Sequence, residues 1–356
     1  MVPESVFERA LARFFAPIGA LLVDPSVSEV MVNGHDCVFV ERRGKLERVP
    51  ERFESEASLM SGLRVLSQYV GRPFDPEHPI LEARLPDGSR VEAVMGHLAK
   101  GGTHVAIRRF ARDRLDIAQL VASGSLSEDA AEFLRDLVVR KFNILVAGGT
   151  GTGKTSLLNV LTAFVPASER VVVLEDSREL QPRGGHTVQL EARPADERGK
   201  GAVSIRGLFK ATLRLRPDRI VLGEIRDGAA LDLLQAMTSG HGGCLATLHA
   251  SHPRDALSRL ETMALMADVE LPLSALRAQI ASAVDVVVQL ERLRNGQRVV
   301  THVSQTEPLD MQGRYVLRDL FVRQGQLRRT GISLLDAGRF HEEHETSACF
   351  SERGSP

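Results

Sequence analysis

Tryptophan is absent from this chain of 356 residues, and aromatic side chains make up only 4% of it. That scarcity argues against a surface that stacks single-stranded bases. Cysteine is scarce too. The three present, Cys37, Cys244 and Cys349, lie far apart and form no C-x-x-C pair, so neither a zinc site nor a disulfide framework is indicated. Reduced thiols in a cytosolic protein are the expectation. Long apolar runs are lacking as well. Phe14–Val23 is short, contains Pro17 and Gly19, and falls well below the ~20 apolar residues of a membrane span. The expectation is a soluble protein whose only link to a membrane is through a partner. Charge of one sign does not dominate: 45 basic and 46 acidic residues nearly cancel, which gives no global bias toward nucleic acid or anionic lipid. What is present, 43% hydrophobic and 26% charged residues, is ordinary globular composition at a length that allows two domains.

The most informative stretch is N-I-L-V-A-G-G-T-G-T-G-K-T-S-L-L-N, Asn143 to Asn159. Within it Gly148, Gly153, Lys154 and Thr155 fit G-x-x-x-x-G-K-[ST], the P-loop. Glycines at 148, 149, 151 and 153, with Thr150 and Thr152 between them, let successive backbone N–H groups point at one anion. A helix starting near Lys154 and Ser156 adds its positive end. Lys154 can reach the β- and γ-phosphates, and the Thr155 hydroxyl can ligate Mg²⁺. An apolar run before the loop and a helical pattern after it supply the context this mechanism requires.

Hydrophobic periodicity organises the rest. Met1–Phe15 is an amphipathic helix pattern, not a signal peptide. Up to about Phe110 the chain reads as an α+β unit. Strands are expected at Glu29–Asn33, Cys37–Glu41, Ile80–Leu85, Arg90–Val94 and Thr103–Ile107, with a hairpin turn at Asp87-Gly88 and a helix over Glu56–Val70 closed by Gly71. The charged run Arg108–Asp116 reads as a linker. Beyond it, helices at Ser127–Lys141, Lys154–Phe164, Ser204–Leu215, Asp227–Ser239, Pro253–Met266 and Leu273–Ala283 alternate with apolar strands at Asn143–Ala147, Arg170–Leu174, Arg219–Leu222, Cys244–Thr247 and Val284–Leu290. This is α/β patterning with a mostly parallel sheet. The division is 1–107 for the α+β unit, 108–118 for the linker, 119–330 for the larger domain and 331–356 for a polar, mobile tail.

Ligands in open α/β sheets bind beyond the carboxyl ends of the strands. Three strands there end in polar residues. Glu175 and Asp176 close V-V-V-L-E-D, and either hold Mg²⁺-bound water or place the attacking water, or else cap a helix or form a surface turn. Glu224 closes R-I-V-L-G-E, placed to polarise the attacking water or to hold the Mg²⁺ shell. His249 closes the G-H-G-G-C-L-A-T-L-H run and could donate to a γ-phosphate oxygen, with His241 and His252 as weaker rivals. Transferred phosphoryl charge also needs a cation. The candidates are Arg90, Arg108, Arg109, Arg193, Arg206, Arg214, Arg216, Arg219 and Arg226.

Taken together, these pieces resemble the type II/IV secretion ATPase superfamily, and within it the CpaF-like branch that serves tight-adherence (Flp-type) pili. The resemblance runs from about Leu22 to Val300. It is carried by S-V-S-E-V-M-V-N-G (26–34), V-F-V-E-R-R-G-K-L (38–46), A-R-L-P-D-G-S-R-V (83–91), A-I-R-R-F (106–110), the P-loop, E-R-V-V-V-L-E-D (169–176), L-R-L-R-P-D-R-I-V-L-G-E-I-R (213–226) and G-H-G-G-C-L-A-T-L-H-A (240–250). It implies a small PAS-like α+β domain, a linker and a RecA-like P-loop ATPase domain, with ATP and Mg²⁺ between the two. By match, Glu175 and Asp176 fall in the Asp box, Glu224 is the Walker B acid, His249 lies in the His box, and Arg90 and Arg108 approach the phosphates. It further implies a homo-oligomer, usually a hexamer, at the cytoplasmic face of the inner membrane. There it would hydrolyse ATP to drive pilus assembly or protein secretion through a membrane-embedded platform protein. Gly96–Gly102 departs from the usual family stretch, and the long N-terminal extension of the branch is not seen. These bear on partner identity and not on nucleotide chemistry. Two other readings remain open: a conjugative ATPase aiding export, and a nucleotide switch with little turnover. No basic tract supports direct contact with nucleic acid.

Overall fold

Two sheets, each with its own apolar core, carry the chain. The computed structural model describes residues 4–42, 44–110, 115–182, 186–193, 195 and 199–335. The first part runs through helices α1 (Glu4–Phe14) and α2 (Ala16–Val23), strands β1 (Val27–Asn33), β2 (Val38–Arg42) and β3 (Lys45–Val49), helix α3 (Glu56–Val70), and strands β4 (Ile80–Arg84), β5 (Arg90–Val94) and β6 (His104–Arg108). Its sheet has the order β3-β2-β1-β6-β5-β4 and is antiparallel throughout. Alternation turns Val30, Val32, Val38, Val40, Val105 and Ile107 to one face, where they bury against Leu59, Leu63 and Leu66 of α3. Ser55 caps α3 by accepting from the Ser58 N–H, and Gly71 ends it at φ 68°. Two elements here were not expected. Pro17 lies in the first turn of α2, where its missing N–H breaks no helical bond. The edge strand β3, K-L-E-R-V, is charged and has no buried residue to betray it.

The second part comprises α4 (Ile117–Ala122), α5 (Glu128–Val139), β7 (Ile144–Gly148), α6 (Lys154–Thr162), β8 (Val171–Glu175), β9 (Thr187–Glu191), α7 (Ile205–Thr212), β10 (Arg219–Leu222), α8 (Ala229–Thr238), β11 (Leu245–Leu248), α9 (Pro253–Leu265), α10 (Leu273–Ala283), β12 (Val286–Arg292), β13 (Arg298–Glu307), β14 (Val316–Gln324) and β15 (Gln326–Arg329). The sheet order is β15-β14-β13-β12-β7-β11-β10-β8-β9. From β12 to β9 the strands are parallel, as the pattern predicts; β13 to β15 extend the sheet antiparallel. Helices α7 to α10 pack on one face through Phe209, Leu233, Leu257 and Ile280. On the other face α5 and α6 pack through Leu134, Leu137, Leu158 and Leu161. Fully buried strands need both layers.

Among the described residues no apolar cluster joins the two parts: one cluster is drawn from Leu11 to Ile107, and the other two from Leu126 onward. At the expected linker, the Arg109 guanidinium donates to the carbonyls of Asp24 and Val27, and Asp116 caps α4 with a capping box. Residues 111–114 of that linker lie outside the described residues. The expected tail begins tied down, because the Gln305 amide bonds both the carbonyl and the N–H of Leu335 at 2.8 and 2.9 Å. Residues 336–356 lie outside the described residues.

Candidate active site

Parallel register gathers the polar strand ends on one edge. Ala147 pairs with Leu248, Gly148 with Leu290, and Leu174 with Leu222. Gly148, Glu175, Glu224 and His249 therefore emerge side by side beyond the carboxyl ends of the strands. The Gly223 carbonyl accepts from Thr247 Oγ1 at 2.6 Å, and the Ile225 N–H donates to the Thr247 carbonyl at 2.8 Å, so Glu224 is held from both sides.

The loop between β7 and α6 has the build of an anion cradle. A Cβ on Gly148 would stand 2.6 Å from Thr152 Oγ1 and 2.8 Å from the Leu290 carbonyl, too close for any other residue. Gly153 has φ 95° and begins α6 with no side-chain cap, leaving the first N–H groups of the helix for a ligand. Thr152 Oγ1 and Lys154 Nζ both donate to the Gly149 carbonyl at 2.9 Å. This fits phosphate, and the chemistry of the nearby donors fits Mg²⁺ arriving with it. The Thr155 hydroxyl and the carboxylates of Glu224, Asp176 and Glu179 border one polar hollow of about 270 Å³.

That hollow also takes in Thr150 to Ser156, Arg90, Arg108, Glu175 and His249. A chain of bonds crosses it. Buried Lys154 lies 3.4 Å from His249 Nδ1, His249 Nε2 lies 3.0 Å from Glu224 Oε1, and Arg226 donates to Glu224 Oε2 at 2.7 Å. Lysine has only protons to give, so His249 Nδ1 accepts and its Nε2–H donates to Glu224; the tautomer follows from the network. Burial, reinforced by the Lys154 charge, holds the imidazole below its ordinary pKa. Burial also lowers Lys154, against the pull of Glu224. For Glu224, burial works upward, but the Arg226 hydrogen bond and the charges of Arg226, His249 and Lys154 outweigh it, and the carboxyl sits below its usual range. The site thus presents an ionised carboxylate beside a neutral imidazole and a cationic amine.

Glu175 has a different setting. It is 4% exposed, and its Oε1 accepts the N–H groups of Glu179 and Leu180, both at 2.8 Å. Burial raises its pKa against those two bonds. Its geometry is that of a strut shaping the segment after β8. Glu179, held there, accepts from Thr155 Oγ1 at 3.4 Å and pairs with Arg90 at 3.1 Å. The sequence pattern alone passed over Glu179, although it stands four residues after Glu175. It passed over Arg298 too, since β13 was not expected. Of the other arginines, Arg226 joins the site. Arg109 binds the first sheet, Arg193 the Gly201 carbonyl, and Arg206 Asp232 and the Ala267 carbonyl. Arg219 is buried against Glu169 at the opposite end of its strand, and Arg214 and Arg216 border none of these hollows. His241 precedes β11 at that opposite edge, and His252 is the exposed residue before α9.

Two wider hollows flank the loop. One of about 670 Å³ lies against Arg90, Arg108 and the first sheet; the other, of about 640 Å³, is mostly apolar and is lined by Leu115, Leu120, Leu126 and Leu290.

The chain is similar to several known proteins. The family model for type II/IV secretion system proteins matches residues 13–333. A putative conjugal transfer protein of Mycobacterium tuberculosis is 35% identical over 297 residues, covering 80% of this chain and 84% of that one. The type IV secretion system protein PtlH of Bordetella pertussis is 37% identical over 300 residues, covering 76% and 87%. Among solved structures, the ATPase DotB of Legionella pneumophila shares the fold with a TM-score of 0.59 at 18% identity, covering 81% of this chain and 79% of that one. With a P-loop sequence in the turn between β7 and α6, the chain belongs to the type II/IV secretion system protein family.

Proposed function

We propose that this chain is a ring-forming motor, a hexamer, which hydrolyses ATP at the cytoplasmic face of the inner membrane and drives a membrane-embedded assembly or secretion machine through a platform protein. The observation that carries the chemistry is the Lys154–His249–Glu224 chain at the mouth of the phosphate loop. Gly148 to Ser156 hold the phosphates, and Lys154 balances charge on the transferred group. Thr155 and Glu224 would hold Mg²⁺, which neutralises phosphate charge when bound. Glu224, kept ionised by its neighbours, orients the attacking water and accepts its proton. His249, neutral, fixes the Glu224 carboxylate through its Nε2–H. Arg90 and Arg108 reach the cleft from the first sheet, so closing of that sheet completes the cation set.

Phosphate release by the purified chain with ATP and Mg²⁺ tests this. Lys154→Ala and Glu224→Gln are expected to lower turnover at least about a hundredfold, with Glu224→Gln still binding ATP. Unchanged turnover in Glu224→Gln removes its role. The resemblance favours pilus assembly as the task. The names of the two curated relatives favour a second reading, export through a conjugative or type IV secretion machine. Identifying the membrane protein that copurifies with native complexes separates the two.

A further inference from the structure

The hairpin joining β12 to β13 lays two arginines along the phosphate loop, and the function above uses neither. Arg292 Nη1 lies 3.6 Å from where a Cβ on Gly151 would stand, and Arg298 Cδ lies 3.6 Å from the same point on Gly153. Their engagements differ. Arg292 is committed to the first sheet, where its Nη2 meets Glu41 Oε1 at 2.7 Å and also the Gly44 carbonyl. The Arg298 guanidinium makes no hydrogen bond or ion pair among the described residues. The carboxylate whose charge acts on it, Glu41, accepts from Arg292 on one oxygen and from Ser28 Oγ at 3.0 Å on the other. Arg298 is open to the cleft, yet enough protein surrounds it that lost hydration lowers its pKa. Five donors in a rigid fork stand beside a loop shaped for phosphate and have no hydrogen-bond partner among the described residues.

Position along the ligand follows from what each hollow contains. Glu224 and His249 border only the polar hollow; Arg298 borders all three. In a P-loop the lysine serves the β- and γ-phosphates. The α-phosphate end then lies away from Glu224 and His249, toward the apolar hollow that Arg298 borders with Leu157, whose volume of about 640 Å³ has room for a nucleoside.

We propose that Arg298 binds the phosphate chain on the nucleoside side of Lys154, holding ATP and ADP alike. This rests on the nucleotide-hydrolysing role given above. It makes Arg298 a binding residue whose loss raises KM and spares kcat.

Calorimetric titration of the full chain with ADP and with AMP, alongside steady-state ATP hydrolysis, tests the assignment. Arg298→Ala is expected to weaken both ligands and raise KM for ATP by about tenfold to a hundredfold, with kcat within about threefold of wild type. Arg298→Lys restores part of the affinity, because it returns charge without the fork. Arg294→Ala, on the same hairpin and bordering none of the hollows, binds as wild type does. Equal ADP affinity in Arg298→Ala and wild type overturns the proposal, as does a loss confined to kcat or an equal loss in Arg294→Ala. AMP binding left intact while ADP binding falls overturns the placement at the nucleoside end. Wild-type protein that binds no ADP would instead count against the nucleotide reading itself.

Discussion

At the scale of single residues, the state of His249 decides what Glu224 can do. An imidazolium would neutralise the carboxylate, whereas a neutral ring donating one N–H leaves Glu224 a base. Burial first, then the Lys154 charge, keep the ring neutral against the pull of Glu224. A depressed folded-state pKa means the unfolded chain takes up the proton first as pH falls. The stability tied to this group is therefore complete above about pH 6.5 and declines as pH drops through the folded-state value. Melting curves from about pH 8 to about pH 5 are expected to show His249→Gln losing less stability on acidification than wild type, with the divergence starting near pH 6.5. Parallel curves would mean that the ring is not held neutral. Glu175 makes the complementary point. It stands beside Glu224 at the strand ends, yet its bonds run to the backbone after β8, where they hold the segment from which Glu179 meets Arg90.

At the scale of elements, the end of β7 tolerates no side chain at Gly148. Gly148→Ala drives a methyl into the Leu290 carbonyl of the neighbouring strand, and backbone cannot swing aside as a side chain can. The expected cost is about 1–3 kcal/mol, read as a lower melting temperature, together with weakened nucleotide binding. A variant that melts and binds as wild type does would show that the loop relaxes freely. This junction was legible in the sequence because glycines, apolar strand and helix all announce one mechanism. So were the parallel strands β7, β8, β10, β11 and β12, whose continuous apolar runs have few other uses. The strands beyond β12 were not. β13 buries Thr301, Ser304, Gln305 and Thr306, a polar run that reads as a loop in the sequence; the neighbouring strands satisfy Thr301 and Ser304, the latter through Asp319 at 2.6 Å. Arg298 went unseen for the same reason: only the turn from β12 to β13 brings it back to a loop more than a hundred residues earlier.

At the scale of the whole molecule, the two sheets meet through charge rather than through a shared core. Arg84 pairs with Glu191 at 2.6 Å, Arg90 with Glu179 at 3.1 Å, and Arg292 with Glu41 at 2.7 Å. All six side chains keep some exposure, so each pair contributes about 0–1 kcal/mol and is screened as salt rises. A triphosphate set between the phosphate loop and the arginines of the first sheet is a stronger tie, since several cations share one highly charged anion. On the proposed function, nucleotide sets the closure of the two sheets where their own ion pairs are weak. Small-angle scattering of the nucleotide-free chain is expected to give a larger radius of gyration at about 1 M salt than at about 0.05 M. A slowly hydrolysed ATP analogue with Mg²⁺ is expected to reverse the expansion. A radius indifferent to both would mean that contacts other than these pairs fix the two sheets, and that hydrolysis has no loosely held joint to work against.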